Sequence, residues 1–335
     1  MTLDRRRLEA MLDEFQRVRL LVLGDLVLDE YVWGDVERVS PEAPVPVVHV
    51  QDETVVLGGA GNVARNVAAL GGTVAFCSAV GDDAAGRRAA DLLENLGADA
   101  KGLVVAEGRP TTRKTRVIAR SQQIVRFDRE TVEPLPPDLG RRLLEAVEAE
   151  LPSCDGVVVE DYSKGVLSGQ IGGEAMRRFL DRGVPVAVDP KAALAPYRGA
   201  TLVKPNLREA EALSGVQIGG AEDLRRAAAR LCEELGGASV VVTRGGEGMT
   251  LFEGGGPGVD VHTAAREVFD VQGAGDTTIA TLALALRVGA SLLEAAVIAN
   301  AAAGVVVGKV GTATASVEEV RALLPAAIAA AGEPR

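Results

Sequence analysis

Short apolar runs that end in an acid or an amide recur along this chain, and they constrain its fold more than any other feature. LLVLG (20–24) leads into Asp25, and TVAFCSAVGDD carries acids at its end. DGVVVED closes on Asp161, VPVAVDP contains Asp189 and TLVKPN closes on Asn206. Runs this apolar are buried on both faces, as in parallel sheets. Helical patterns lie between them. Leu8, Met11, Leu12 and Phe15 share one face of residues 4–18, and further helices are expected near 138–150, near 169–182 and as a pair reaching about residue 235. SVVVTRG is another strand, two strand-like segments follow it, and the last third reads as helical. Ser291-x-x-Glu294 and Ser316-x-x-Glu319 mark two of its helix starts as capping boxes. Strands separated by helices predict an α/β fold, a mostly parallel sheet covered on both faces. Ligands of such sheets bind beyond the carboxyl ends of the strands. Asp25, Asp82, Asp161, Asp189 and Asn206 share that edge.

Two segments break the alternation. Residues of about 30–50 hold Pro41, Pro44 and Pro46 and read as extended. Residues 111–128 read as a β-hairpin turning near Arg120-Ser121. Together they predict a small accessory sheet on a single domain spanning 1–335.

Composition narrows the function classes. Lys and Arg number 36 against 47 Asp and Glu, a net charge of −11, and aromatic residues make up 3%. That balance argues against nucleic acid or an anionic membrane surface as partner, but not against a small anion in a local basic pocket. Cys77, Cys154 and Cys232 are far apart, which suggests neither a disulfide framework nor a zinc ribbon and predicts a reduced, cytoplasmic protein. With only His49 and His262, His-rich metal sites are excluded. The N-terminus has no signal-peptide pattern, and Ala295 to Gly308 falls short of a membrane span.

Three glycine patterns compete for a phosphate-binding role. Gly59-x-Gly61-x-x-Ala64 matches a dinucleotide fingerprint but does not follow the first strand. Gly304-x-x-x-Gly308-Lys309 is one residue short of a P-loop and has Val310 where Ser or Thr should bind magnesium; a close-packed buried helix explains it better. The third is Asp270-Val271-Gln272-Gly273-Ala274-Gly275-Asp276-Thr277, where small residues run into an apolar helix, Thr278 to Arg287. A helix N-terminus favours an anion, and Gly273, Ala274 and Gly275 allow close approach. Asp276 is then a carboxylate beside an anion site; the alternative is an ordinary Asp N-cap.

These residues carry a resemblance. GGAGNVARNVAALGG and DVQGAGDT are similar to the two signatures of ribokinase-type (PfkB) sugar kinases. LGDLVLDEYVWGDVERVSPEAPVPVV, TRKTRVIARSQQIVRFD, DYSKGVLS, VDPK, YRGATLVKPNLREAEAL and ANAAAGVVVGKVGTATAS resemble, within that family, the heptose 7-phosphate kinase branch. The resemblance implies a ribokinase-like fold with a β-lid. It implies transfer of phosphate from ATP to the anomeric hydroxyl of D-glycero-β-D-manno-heptose 7-phosphate, giving the 1,7-bisphosphate on the route to ADP-heptose and lipopolysaccharide core. In many relatives a nucleotidyltransferase domain follows; here the sequence stops at Arg335, and only the kinase step is expected.

Carried over by motif, Asp276 is the expected general base and Gly273, Ala274 and Gly275 the anion hole. Asn206 and Glu209 would organise Mg2+ through water together with the ATP phosphates. Thr243, Gly245 and Gly248 would form the nucleotide loop, and Asn300 would lie near the base pocket. Asp29, Gly58, Gly59 and Asn62 would hold sugar hydroxyls. The family usually carries Thr where this chain has Gln272, a departure that bears on a monovalent-cation site shared with Asp270 and not on the base. Lys114, Arg116, Arg120 and Arg126 on the hairpin, with Lys164 and Lys191 at strand ends, are candidates for the substrate phosphate. Asp25 and Asp161 either bind sugar or terminate strands. Exposed lid edges, with Tyr31 and Trp33 nearby, predict a homodimer through the lid strands. The alternatives are a kinase of fructose, ribose or a keto-deoxy sugar acid, a non-catalytic sugar-binding paralogue, and a dehydrogenase if the Gly59 motif were the real one.

Overall fold

The structure, a computed structural model, describes residues 3–120, 122–265 and 268–332. Its centre is β1 (Arg19–Gly24), whose side chains alternate between two cores. Leu20 and Val22 face one, Leu21 and Leu23 the other. β1 lies between β4 (Thr73–Gly81) and β8 (Gly156–Glu160), parallel to both. β5 (Asp99–Ala106) extends the parallel sheet beyond β4. On the other side β9 (Val186–Asp189), β10 (Leu202–Val203) and β11 (Ser239–Thr243) continue it beyond β8. The last two pairings, β11 with β12 (Met249–Phe252) and β12 with β13 (Val259–Val261), are antiparallel.

Helices cover both faces, as the buried strands require. α1 (Arg5–Glu14), α2 (Ala60–Ala69), α3 (Ala84–Asn95), α8 (Ala274–Arg287), α9 (Leu292–Val307) and α10 (Val317–Gly332) pack on the first core. α4 (Pro137–Glu150), α5 (Ile171–Asp181), α6 (Leu207–Ser214) and α7 (Ala221–Leu235) pack on the second. Both expected capping boxes form: Ser291 and Glu294 exchange hydrogen bonds at α9, and Ser316 and Glu319 at α10. Among the described residues, no helix is long and apolar enough to cross a membrane.

The accessory sheet has four strands in the order β3-β2-β6-β7. The segment near 30–50 is not one extended piece. It is a long hairpin of β2 (Leu26–Val39) and β3 (Pro46–Gly59). Pro41 and Pro44 fall in its turn, and Pro46 opens β3, an edge strand where a missing N–H is tolerated. β6 (Arg113–Ala119) runs parallel to β2 and antiparallel to β7 (Gln122–Arg129). Ala119 faces Gln122, so the turn falls at 120–121 as expected; Ser121 itself lies outside the described residues.

Candidate active site

The small-residue run becomes the first turn of α8, which begins at Ala274, four residues earlier than the apolar pattern predicts. Gly273 precedes the helix at φ +76°, and a Cβ there would meet Asn62 Nδ2 at 2.7 Å. No side chain caps this helix, so first-turn N–H groups remain available to an anion. Asp276 is therefore no N-cap. It is the third helical residue, buried, with Oδ2 accepting from Asn62 Nδ2 at 2.7 Å and Oδ1 from the Tyr162 hydroxyl at 2.9 Å. Burial pushes Asp276 up to about 6, and the Asp189 charge adds to this; the Asn62 and Tyr162 bonds oppose it.

Beneath Asp276 the strand ends contribute a buried charge cluster. Glu160 ends β8, Asp189 ends β9 and Lys204 follows β10. Carboxylate oxygens of Glu160, Asp189 and Asp276 lie within 4.8 Å of one another. Lys204 Nζ pairs with Asp189 Oδ2 at 2.8 Å, both side chains at most 3% exposed. Burial opposes the Lys204 charge, but Asp189 and Glu160 hold it above its ordinary range. A Cβ on Gly275 would lie 3.4 Å from Lys204 Nζ, which places that ammonium against the α8 N-terminus.

A cleft of about 530 Å³ opens over this floor. Gly273, Ala274, Gly275, Asp276, Asn206, Glu209, Thr243, Gly245, Gly248 and Asn300 all line it, so ten expected residues from four separate segments meet at one place. Asn206 and Glu209 form the capping box of α6: Asn206 Oδ1 accepts from the Glu209 N–H at 3.0 Å and Glu209 Oε2 from the Asn206 N–H at 2.8 Å. Lys191 Nζ donates to Glu209 Oε1 at 2.5 Å. Each Glu209 oxygen keeps a second lone pair, which suits a hydrated Mg2+ held through water. Asn300 lines the cleft, and its amide bonds the backbone of His262 and Ala264, which ties the wall together and leaves one N–H and one lone pair over.

The sugar-side expectations divide. Asn62 donates to Asp276. Gly58 makes room for Asp29, since a Cβ there would overlap Asp29 Oδ2, and Gly59 at φ +55° lets β3 turn into α2. Asp29 is paired with Arg116 Nη1 at 2.6 Å, both buried, and the Arg116 guanidinium lies over the Tyr31 ring. Arg116 is thus tied to a carboxylate. Lys164 is paired with Glu130 at 2.7 Å. Arg120 and Arg126 do not reach the cleft; they are exposed, beside Asp35 and Asp128. Lys114 differs: it is half-buried, its Nζ lies 5.7 Å from the Tyr162 ring centre, and it forms no ion pair among the described residues. Burial, then the Lys164 charge, lowers its basicity.

Asp25 and Asp161 terminate strands. Asp25 accepts the N–H groups of Tyr162, Lys164 and Val166, and Asp161 accepts from the Ser163 N–H and the Tyr197 hydroxyl. Gly304 lies on the face of α9 that lines the cleft, and a Cβ there would meet Leu323 at 2.8 Å, so the P-loop-like run is a close-packed helix. Sequence reasoning missed Tyr162, Lys204, Glu160 and Arg65, whose guanidinium bonds Asn62 Oδ1 and the carbonyls of Leu57 and Thr312. A lysine inside the apolar TLVKPN run was the available signal, because a buried ammonium demands a partner. The arrangement as a whole can accept a proton from a hydroxyl at Asp276 while the α8 N-terminus and Lys204 hold an anion beside it.

Comparison with known proteins agrees with this geometry. The sequence model described as "pfkB family carbohydrate kinase" matches residues 19–319. The bifunctional protein HldE of Geobacter sulfurreducens is 46% identical over 319 residues, covering 95% of this chain and 65% of that protein. That of Desulfatibacillum aliphaticivorans is 45% identical over 311 residues, covering 92% and 64%. The chain thus spans about 65% of the length of the curated relatives it matches. Its fold is ribokinase-like. Arabidopsis thaliana ribokinase, solved with ribose and ATP, superposes with a TM-score of 0.72 at 24% identity, over 92% of this chain and 98% of that one. Escherichia coli phosphofructokinase-2 with fructose-6-phosphate gives 0.73 at 22%, over 92% and 98%.

Proposed function

The chain belongs to the pfkB family of carbohydrate kinases, and we propose that it transfers the γ-phosphoryl group of ATP to the anomeric hydroxyl of D-glycero-β-D-manno-heptose 7-phosphate, the kinase step toward ADP-heptose. The observation that carries the substrate choice is Lys114. It is a half-buried cation without an acid partner among the described residues, across the Tyr162 ring from the base. A sugar with its anomeric hydroxyl at Asp276 and a phosphate at its far end satisfies both groups. The resemblance of the SPEAPVPVV and RSQQIVRFD segments to the heptose 7-phosphate branch supports the same reading.

In this mechanism Asp276 accepts the hydroxyl proton as the oxygen attacks phosphorus. Asn62 and Tyr162 fix its two oxygens, so its orientation costs nothing during the reaction. The α8 N-terminus and Lys204 stabilise charge on the transferring group, the main demand of phosphoryl transfer. Mg2+, when bound, would neutralise phosphate charge, with Asn206 and Glu209 holding its hydration shell. Both Asp270 oxygens accept N–H groups, from Gln272 and Gly311, and each keeps a lone pair that a monovalent cation could use. The lid supplies the expected homodimer contact: β7 is exposed throughout, with Ile124, Val125 and Phe127 on an edge strand that a second copy would cover. Light scattering at micromolar concentration should give twice the monomer mass.

An ADP-release assay over a panel of sugars and sugar phosphates tests the assignment. Heptose 7-phosphate should be phosphorylated, and free heptose, fructose and ribose ignored. Equal kcat/KM for phosphorylated and free sugars would move the assignment to another pfkB-type sugar kinase, and no turnover at all to a non-catalytic paralogue.

A further inference from the structure

Glu160, together with Asp189, is left unused by the mechanism above. Its side chain is fully buried, and neither carboxyl oxygen has a hydrogen-bond partner. Asp189 Oδ1 is equally buried and equally unpartnered. Buried acceptors without donors are rare in folded proteins. Here a carboxylate oxygen of Glu160 and one of Asp189 lie within the 4.8 Å that also includes Asp276.

Every charged group that faces Glu160 sharpens the problem. Asp189 comes from β9 and Asp276 from α8; Lys204 follows β10, and Lys191 follows β9. The Tyr162 hydroxyl is committed to Asp276, and Lys191 to Glu209. Lys204 is then the only ammonium among the described residues that forms an ion pair with one of the three carboxylates, at Asp189 Oδ2; the Lys191 charge acts on Glu160 and Asp189 from its place on Glu209. Full ionisation would leave two carboxylates without an ion pair in a region closed to water. Burial, then the Asp189 and Asp276 charges, accordingly hold the Glu160 carboxyl well above the usual carboxylate range.

We propose that Glu160 is a positioning residue for the base, a neutral carboxylic acid whose O–H supplies the donor missing at Asp189 Oδ1. That bond keeps Asp189 on Lys204, and so keeps Lys204 against the α8 N-terminus. It also limits the negative charge that Asp276 feels, leaving the base ionised near neutral pH. Atoms and charge are conserved: the proton belongs to Glu160, is shared with Asp189, and is not transferred to substrate.

This role rests on the kinase reading but not on the identity of the sugar. Two variants test it. Glu160→Gln keeps the shape and an N–H donor, whereas Glu160→Val keeps neither. The first measurement needs no turnover. The infrared difference spectrum of wild type minus Glu160→Gln at pH 8 should contain the carbonyl stretch of a protonated carboxylic acid; a carboxylate band pair in its place overturns the proposal. Because this readout is independent of activity, it separates failure here from failure of the sugar assignment.

Kinetics then use whichever sugar phosphate the enzyme accepts. Glu160→Val should lower kcat about tenfold with the KM for ATP within about twofold, the pattern of a misplaced base and not of a lost binding contact. Glu160→Gln should recover most of that loss, with the acid limb of kcat/KM where wild type has it. A limb moved clearly to lower pH in Glu160→Gln would mean that the native side chain carries charge beside Asp276. Recovery of Glu160→Gln only at raised Mg2+ would assign the free oxygens to a metal ion. Either result overturns the proposal, as do wild-type kinetics in a folded Glu160→Val. If Glu160→Val does not fold, the infrared and Glu160→Gln results decide.

Discussion

The floor of the cleft and the lid above it both gather charge, and they treat it in opposite ways. On the floor, Glu160, Asp189, Lys204 and Asp276 are almost without solvent contact, so every charge must be answered by a named neighbour. On the lid, Arg120 and Arg126 keep 71% and 48% of their side-chain surface and lie beside acids that are themselves partly exposed. Such surface pairs contribute about 0–1 kcal/mol. Counting positive residues on a hairpin therefore says little about anion binding; what counts is whether a cation is both desolvated and unpaired. Among the basic lid residues considered, Arg116 is buried but paired, and Lys114 alone is partly desolvated without an ion pair among the described residues.

The largest effect should come from the floor. Asp276→Asn removes the only proton acceptor at the α8 N-terminus, and kcat should fall by at least ~10² while ATP binding, measured by titration calorimetry, stays near wild type. A variant that keeps a tenth of kcat would show that the buried carboxylate is not the base.

The pH profile examines the same group without replacing it. Asp276 is raised to about 6, chiefly by burial. It accepts a proton only when ionised, so kcat/KM should be flat above neutrality and fall towards tenfold per unit as pH drops through about 6. Asn62→Leu deletes a hydrogen bond that favours the ionised form and should move the limb to higher pH. A limb that moves down or stays still would mean that Asn62 does not act on the base.

Lys114→Met carries the comparison into the lid. Hydrogen bonds to charged groups are worth about 1.5–3 kcal/mol, so KM for the sugar phosphate should rise roughly 10- to 100-fold while KM for ATP changes little. An unchanged KM would reduce the lid cation to packing against Tyr162 and would remove the reason to prefer a phosphorylated sugar.

The contrast between floor and lid also explains what was legible in the sequence. The α8 N-terminus was readable because Gly273, Ala274, Gly275 and Asp276 are adjacent, so a single local pattern carries the proposed anion hole and the proposed base. The α6 capping box was readable for the same reason. The floor was not, because Glu160, Asp189 and Lys204 come from the ends of three strands and meet only once the order β8-β9-β10 is known. The lid hairpin and its turn were local and visible, but the parallel pairing of β2 with β6 joins segments more than eighty residues apart in the chain. The carboxylate that pairs with Arg116, Asp29, lies on that other strand. Arg126 was different: Asp128 is two residues away on the same strand face, and the alternation of side chains already placed an acid beside it.

The smallest effects should come from Arg120 and Arg126, and they test the comparison most directly. Arg126 faces Arg116 across the β6–β7 pair, so it shares the face of the lid that carries Lys114. Charge alone would make it a phosphate ligand. Its pairing with Asp128 and its exposure argue that the guanidinium is already solvated and locally neutralised. Arg126→Ala and Arg120→Ala should therefore change KM for the sugar phosphate by less than about twofold, and each should combine additively with Lys114→Met, as non-interacting sites do. A fivefold rise for Arg126→Ala, or a double variant no worse than Lys114→Met alone, would show the two cations acting on one phosphate. The lid would then bind its ligand by closing, with Arg126 released from Asp128 as the substrate arrives.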